Sequence, residues 1–339
     1  GNIMAALLGH MNFWNASVQS AIDVFFEELK APESRGMATI FGFIYSLLSL
    51  ITVVGNALVI IAVYKDPLKI LKNSPSNLIL LSLSEADLIV GLMIGPGAAV
   101  WFFRIGKAAP SLGYIIVILS CSSLVVSVGN VLLLTIDRYY ALATPLKYRV
   151  IITKKTVTIA SSAIWVCSIC YALAFSLLQQ YFLLIWFVSV VLLFICSECI
   201  CILYFITLRN LSKHSRSRIV VSNSQSNTAL AYQREKKVFK VILSVIFVFY
   251  LCLIPWLGNQ FVIYFCKGCH SHRKTVMVCT YATQVFAILN SALNPVLYSC
   301  RFAKFQATFQ YFLRKFLPHK GRKKSVRINE RRQAYNTHL

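Results

Sequence analysis

Asp137 and Arg138 stand side by side in Ile136-Asp137-Arg138-Tyr139-Tyr140, closing an apolar run that begins near Pro110. Charges at the end of a hydrocarbon-spanning helix cost several kcal/mol unless they reach the water boundary or find partners. Arg138 therefore has two readings: an anchor that snorkels to the headgroups, or one half of a charge switch. Asp87 poses a deeper problem. It lies about twelve residues into the next apolar run towards the N-terminus, roughly 18 Å deep at about 1.5 Å per residue, where a carboxylate marks a candidate functional site. Ser127 falls at a similar depth, as do Asn290, Ser291 and Asn294, with Asn290 and Asn294 on one helix face at i, i+4. Asp87 and these groups offer the oxygen ligands that a hard monovalent cation such as sodium prefers. The alternative is a water-filled hydrogen-bond network around a neutral acid.

Elements long enough to carry these groups are easily found. Of 339 residues, 58% are hydrophobic and 13% charged, with mean hydropathy +0.68, far from the roughly 25% charged residues of a soluble domain. Runs of about 20 apolar residues, each able to cross a bilayer, occupy residues 38–64, 75–103, 110–140, 155–178, 182–208, 238–265 and 275–300. The fold class is an all-α membrane protein, a seven-helix transmembrane bundle. Residues 1–37 form an N-terminal segment, 38–300 the bundle, 301–317 a surface helix and 318–339 a basic tail. Within the first run Asn56 carries a side-chain amide that must find partners inside the bundle.

The net charge of +23 invites a nucleic-acid reading, but its distribution argues otherwise. Of the 34 Lys and Arg residues, 27 fall on one side of the seven runs and 7 on the other. That asymmetry follows the positive-inside rule and puts the N-terminus outside the cell and the C-terminus in the cytoplasm. Membrane lipid is the expected partner of Lys320-Gly321-Arg322-Lys323-Lys324. Asn15-Ala16-Ser17, on the outer side, is a glycosylation sequon at Asn15. Residues 210–232 are polar and serine-rich and read as a flexible linker open to kinases. Phe302, Phe305, Phe309, Phe312 and Phe316 recur at helical spacing beside Lys304, Arg314 and Lys315, which predicts an amphipathic helix on the inner leaflet.

Seven landmarks, one per run, carry a resemblance. Gly55-Asn56, Leu83-Ser84-Glu85-Ala86-Asp87-Leu88, Asp137-Arg138-Tyr139, Trp165, Tyr204, Phe249 with Cys252 and Pro255, and Asn294-Pro295-Val296-Leu297-Tyr298 resemble those of rhodopsin-like (class A) G-protein-coupled receptors. The resemblance implies a plasma-membrane receptor, not an enzyme, that binds an extracellular ligand and activates a heterotrimeric G protein, with arrestin and receptor kinases as further partners. It also implies a mechanism: Glu235, opening the sixth span, pairs with Arg138 and holds the bundle closed until helix six swings outward. Pro255 and Pro295 break backbone hydrogen bonds within their helices, and Tyr298 and Tyr204 turn inward once helix six moves. The tail Thr337-His338-Leu339 resembles a ligand for PDZ domains.

Departures from the family pattern narrow the resemblance. The disulfide that usually tops helix three is missing, since Gly113 stands there, and the loop between spans four and five is very short. Cys196 replaces a common proline and Leu253 the usual tryptophan. The missing disulfide, the very short loop and the absent span-five proline together resemble the melanocortin, lysophospholipid, cannabinoid and adenosine receptor cluster. Cys266-Lys267-Gly268-Cys269 is similar to the cysteine-bearing loop of melanocortin receptors, and Cys266 is expected to bridge either Cys269 or Cys279. Amine receptors hold an ammonium on an aspartate at the position of Ser120, and visual pigments need a lysine that the seventh span lacks; both ligand classes are disfavoured. The outer cavity offers Ser120, Cys121, Trp186, Trp256, Gln260, Tyr281 and Gln284, an apolar pocket with few polar anchors that suits a lipid-like, nucleoside-like or other small molecule.

Glu85 and Glu198 have no role in this scheme; they are neutral, or face water or a partner subunit. They also support a rival reading, a seven-helix transporter or ion-conducting protein that relays charge through Asp87, Glu85 and Glu198. Against it stands the lack of an internal repeat.

Overall fold

The computed structural model describes residues 34–103, 110–178, 181–220, 243, 247–263, 266, 272–301 and 303–316. Its helices are α1 (Arg35–Lys65), α2 (Pro75–Trp101), α3 (Pro110–Ala143), α4 (Pro145–Ile151), α5 (Lys154–Leu177) and α6 (Phe182–Val220). They continue as α7 (Phe247–Ile263), α8 (Arg273–Arg301) and α9 (Ala303–Phe316). Six of them are long and apolar enough to cross a membrane, and α7 is a shorter apolar helix. The helices match the apolar runs within a few residues, apart from the end of α6 and the start of the sixth run, which lies outside the described residues. No strand occurs among the described residues.

Two boundaries differ from expectation. α6 continues as helix to Val220, so the first part of the serine-rich 210–232 linker is ordered as helix. Its Leu, Lys and Arg residues are good helix formers and need no apolar face to extend an existing helix. The loop after α3 also contains a short helix, α4, with Pro145 at its first position, where proline's missing N–H costs nothing.

The first connection is fixed by one residue. Asp66 follows α1 in the left-handed conformation, φ 31°, and is buried. Its carboxylate accepts from the backbone N–H groups of Ile70, Leu71 and Lys72 at 2.9–3.1 Å. A turn that would otherwise hold orphan donors is thereby closed on itself.

Small residues set the closest helix contacts. The Ser49 hydroxyl donates to the Gly91 carbonyl at 2.8 Å, and a Cβ at Gly91 would lie 2.9 Å from Val53 Cγ2 and 3.1 Å from Val53 backbone nitrogen. Gly91 and Gly95, four residues apart, thus let α2 lie directly on α1. A Cβ on Gly55 would meet the Pro295 ring at 3.0 Å, seating α1 against α8. α3 runs through the middle, touching α2, α5 and α6.

The core has two parts. A large inner cluster joins Val59, Leu71, Leu80, Leu83, Val131, Leu134, Ile200 and Phe249, and a smaller one gathers Tyr45, Leu48, Phe102, Tyr281 and Ile288. Phe305 of α9 belongs to the inner cluster and is fully buried, with Phe309 and Phe312 packed against it. This corrects the expectation that the phenylalanine face lies wholly on the leaflet: Phe305 is inserted into the bundle. Outward faces stay apolar, for example Phe43, Leu47 and Leu50 on α1 and Phe194 and Ile195 on α6.

Candidate functional site

At the end of α3, Asp137 and Arg138 are both buried and form an ion pair, with the Arg138 Nε donating to Asp137 Oδ2 at 2.8 Å. The pair is not isolated. Ser76, near the start of α2, donates from Oγ to Asp137 Oδ2 at 2.8 Å and accepts from Arg138 Nη2. Tyr148 of α4 donates to the other oxygen, Asp137 Oδ1, at 3.0 Å. Burial, then the charge of Asp137, pushes the Tyr148 phenol up to about 12. Ion pairs taken out of water need such additional hydrogen bonds to offset desolvation. Glu235, the expected acidic partner of Arg138, lies outside the described residues, and Tyr139 stacks edge-on against Tyr140.

Deeper in the bundle, Asp87 is fully buried and accepts from Asn294 Nδ2 at 2.7 Å, joining α2 to α8. Asn56 donates to the Thr52 and Ser291 carbonyls at 2.9 and 3.1 Å, adding α1 to the same level. Ser291 also lies against the Asp87 carboxylate. Asp87 Oδ1, Asn294 Oδ1, Asn56 Oδ1 and Ser84 Oγ are buried with no hydrogen-bond partner among the described residues. Oxygens left this way are costly unless something answers them, and an all-oxygen set with a single carboxylate fits a hard monovalent cation. Among the described residues no cluster of three or more His, Cys, Asp or Glu could hold a transition metal. Ser127 is buried and Asn290 half-buried, but neither hydrogen-bonds Asp87.

The remaining candidate switch positions are placed as follows. Tyr204 is half-buried against the inner cluster, Phe249 is buried within it, and Pro295 is buried in α8. Pro255 lies half-buried in α7. The Tyr298 side chain, the sequon at Asn15 and the tail Thr337-His338-Leu339 lie outside the described residues.

The outer candidates divide. Tyr281 is buried against Phe102, with ring centroids 5.3 Å apart, and Gln284 Oε1 accepts from Tyr45 at 2.9 Å. These two are engaged with α1 and α2. Gln260 is buried and its neighbour Asn259 donates to Thr280 Oγ1 at 3.0 Å; Trp256 is half-buried. The side chains of Ser120, Cys121 and Trp186 lie outside the described residues. Cys266 is disulfide-bonded, whereas Cys279 is free and exposed. Cys279 is therefore not the bridge partner, and Cys269 lies outside the described residues.

Several functional-site neighbours were not anticipated. Ser82 Oγ accepts from Trp165 Nε1 and from Asn130 Nδ2, both at 3.1 Å, tying α2, α3 and α5 together. Asn130 is a fully buried amide, and the rule applied to Asn56 would have flagged it equally. Ser76 lies eleven residues before Asp87, about three helical turns along one face.

Comparison with known proteins defines the class. Residues 55–184 and 175–298 match the family model of the 7 transmembrane receptor (rhodopsin family). The chain is 25% identical over 323 residues to the histamine H2 receptor of Rattus norvegicus, covering 88% of this chain and 86% of that protein. It is 24% identical over 288 residues to the growth hormone secretagogue receptor type 1 of Homo sapiens, covering 77% of each. The chain belongs to the rhodopsin-like (class A) G-protein-coupled receptors. It is accordingly a multi-pass plasma-membrane protein whose family works with G proteins and extracellular ligands, and receptors of this family are not enzymes.

Proposed function

We propose that this receptor, with its N-terminus outside the cell, activates a heterotrimeric G protein when an extracellular ligand shifts the bundle towards a state in which Arg138 is released. The observation that carries the reading is the restraint on Arg138 by Asp137 and Ser76, with Tyr148 completing the carboxylate's shell. Such a shell is worth only a few kcal/mol after desolvation, a gap that differential ligand binding can overturn. Glu235 supplies a second restraint from the sixth span. Pro255 and Pro295 act as hinges, and Phe249, Tyr204 and Tyr298 repack as the sixth span moves outward. Arrestin, receptor kinases and a PDZ-domain protein follow as cytoplasmic partners.

Sodium is proposed as an allosteric ion held by Asp87 with Asn294 and Ser291, where its charge would balance the carboxylate. The ligand is proposed to be lipid-like, nucleoside-like or another small molecule. Ser120 lacks the acid that would pair with an ammonium, so an amine is disfavoured even though a relative is named for histamine.

The test is agonist-independent G-protein activation by the wild type, Arg138→Ala and Glu235→Ala at matched surface expression. Removing Glu235 should raise basal signalling, and removing Arg138 should impair coupling. Ion flux without coupling would favour the transporter reading instead.

A further inference from the structure

The glycines on these helices fall into two kinds. At Gly42, Gly55, Gly91, Gly95 and Gly129 an added Cβ would meet a neighbouring side chain at 2.7–3.0 Å, so close packing requires them. Gly258 is different. It stands inside α7, exposed on the bilayer-facing side with Leu251, Ile254, Phe261 and Val262, and among the described residues a Cβ there would meet nothing within 4 Å. Its backbone is ordinary helix, so no left-handed turn needs it either. Glycine inside a helix destabilises that helix relative to alanine, and here neither packing nor local conformation explains its presence.

The two sides of Gly258 are held differently. Beyond it, Asn259, Gln260 and Ile263 are buried, and Asn259 Nδ2 donates to Thr280 Oγ1 of α8 at 3.0 Å. The Thr280 hydroxyl donates its own proton to the Val276 carbonyl at 2.9 Å, so its own helix fixes the acceptor that Asn259 meets. Parting this pair within the membrane would leave a buried amide and a hydroxyl lone pair unanswered. Before Gly258, Pro255 removes the backbone hydrogen bond to the Leu251 carbonyl, and Phe249 and Leu253 pack into the inner cluster.

We infer that Gly258 is the pivot of the sixth span: the turn 259–263 stays bonded to α8 through Asn259 and Thr280, and only the part before Gly258 swings. The inference rests on the proposed outward movement of that span and says where the movement stops. A rod held at its outer end can release Arg138 at its inner end only by bending in between, and the bend falls where the helix is weakest. Pro255 opens the hydrogen-bond ladder, and Gly258, three residues on, adds torsional freedom with no side chain to collide on the outer face. The pivot divides the pocket candidates on this helix. Trp256 lies on the moving side and Gln260 on the fixed side, so a ligand drives the span through Trp256, while Gln260 holds it equally in both states.

The experiment uses the full-length chain in lipid nanodiscs without ligand, with and without the nucleotide-free heterotrimeric G protein that it activates basally. Genetically encoded spin labels are read across the inner ends of the third and sixth spans and, separately, from Val262 of α7 to Lys274 of α8. With the G protein bound, the inner separation should lengthen and the outer one should not. Gly258→Ala enters open space and favours a straight helix, so basal G-protein activation should fall about fivefold while the thermal midpoint holds or rises. Thr280→Val removes the acceptor and should let the outer separation lengthen as well. An outer separation that lengthens in the wild type, unchanged coupling in Gly258→Ala, or an outer separation still fixed in Thr280→Val would overturn the pivot and leave the outward movement standing. An inner separation that stays fixed while the G protein is activated would instead refute that movement, and the pivot with it.

Discussion

Ser76 Oγ lies 2.8 Å from Asp137 Oδ2, so a hydroxyl on α2 holds the acid whose neighbour, Arg138, is the proposed switch. The restraint on the arginine is therefore shared among the Ser76 end of α2, the Arg138 end of α3 and the short α4. A hydrogen bond to a charged group contributes roughly 1.5–3 kcal/mol. Ser76→Ala should raise agonist-independent G-protein activation by about three- to tenfold, since part of that energy biases the two-state equilibrium. Basal activity at or below wild type would mean that the bond serves only to hold the fold.

The unanswered buried oxygens of Asp87 and of its partner Asn294 give a second expectation. Asp87→Asn keeps a side chain that can still meet Asn294 but removes the negative charge. Agonist affinity that falls with sodium in the wild type should become indifferent to sodium in the variant, measured against an equal concentration of a bulky organic cation. A sodium dependence that survives the substitution would count against the cation reading.

How much of this was legible beforehand follows from the range of each interaction. The spans follow from local apolarity, a property of twenty consecutive residues; six of the helices begin within a few positions of their runs, and of the sixth span the described residues cover 247–263. Asp87, Asn294 and Asn56 were likewise visible as polar groups where lipid allows few, and the structure places them at one level. Ser76 and Tyr148 were not visible: a serine and a tyrosine near a helix end are unremarkable until folding brings residues 61 apart to one carboxylate. Phe305 shows the same limit, because helical periodicity defines an apolar face without saying whether lipid or protein covers it. Residues 210–220 were misread because serine and basic residues suit a linker and an extended helix alike.

Close packing of α1 on α2 predicts a difference between two glycines. At Gly91 an added methyl would press on Val53, including its backbone nitrogen at 3.1 Å, whereas at Gly95 it would press on the Ser49 hydroxyl at 2.7 Å. A side chain can rotate away and a backbone cannot. Gly91→Ala should cost about 1–3 kcal/mol through overpacking and lower the thermal midpoint in detergent by several degrees. Gly95→Ala should cost less, because Ser49 can give way at the expense of its bond to Gly91. Equal losses would indicate that the helices can separate freely.

Tyr148 provides a titration test outside the spans. Its phenol is raised from the ordinary 10.0 to about 12, so the folded protein prefers the protonated form. The stability linked to that proton is fully present below pH 10 and is lost as pH rises towards 12. The ultraviolet phenolate difference between wild type and Tyr148→Phe should therefore stay near zero below about pH 10. A difference signal developing at or below the ordinary value would show that Tyr148 is not buried beside Asp137 in solution.

The central claim is that the inner end of the sixth span moves away from Arg138 when the receptor couples. Spin labels on the inner ends of the third and sixth spans, read by pulsed dipolar spectroscopy, measure this directly. The account predicts a separation that lengthens when agonist and G protein are both bound, and one already longer in Glu235→Ala without ligand. A separation that stays the same while the G protein is being activated would contradict it.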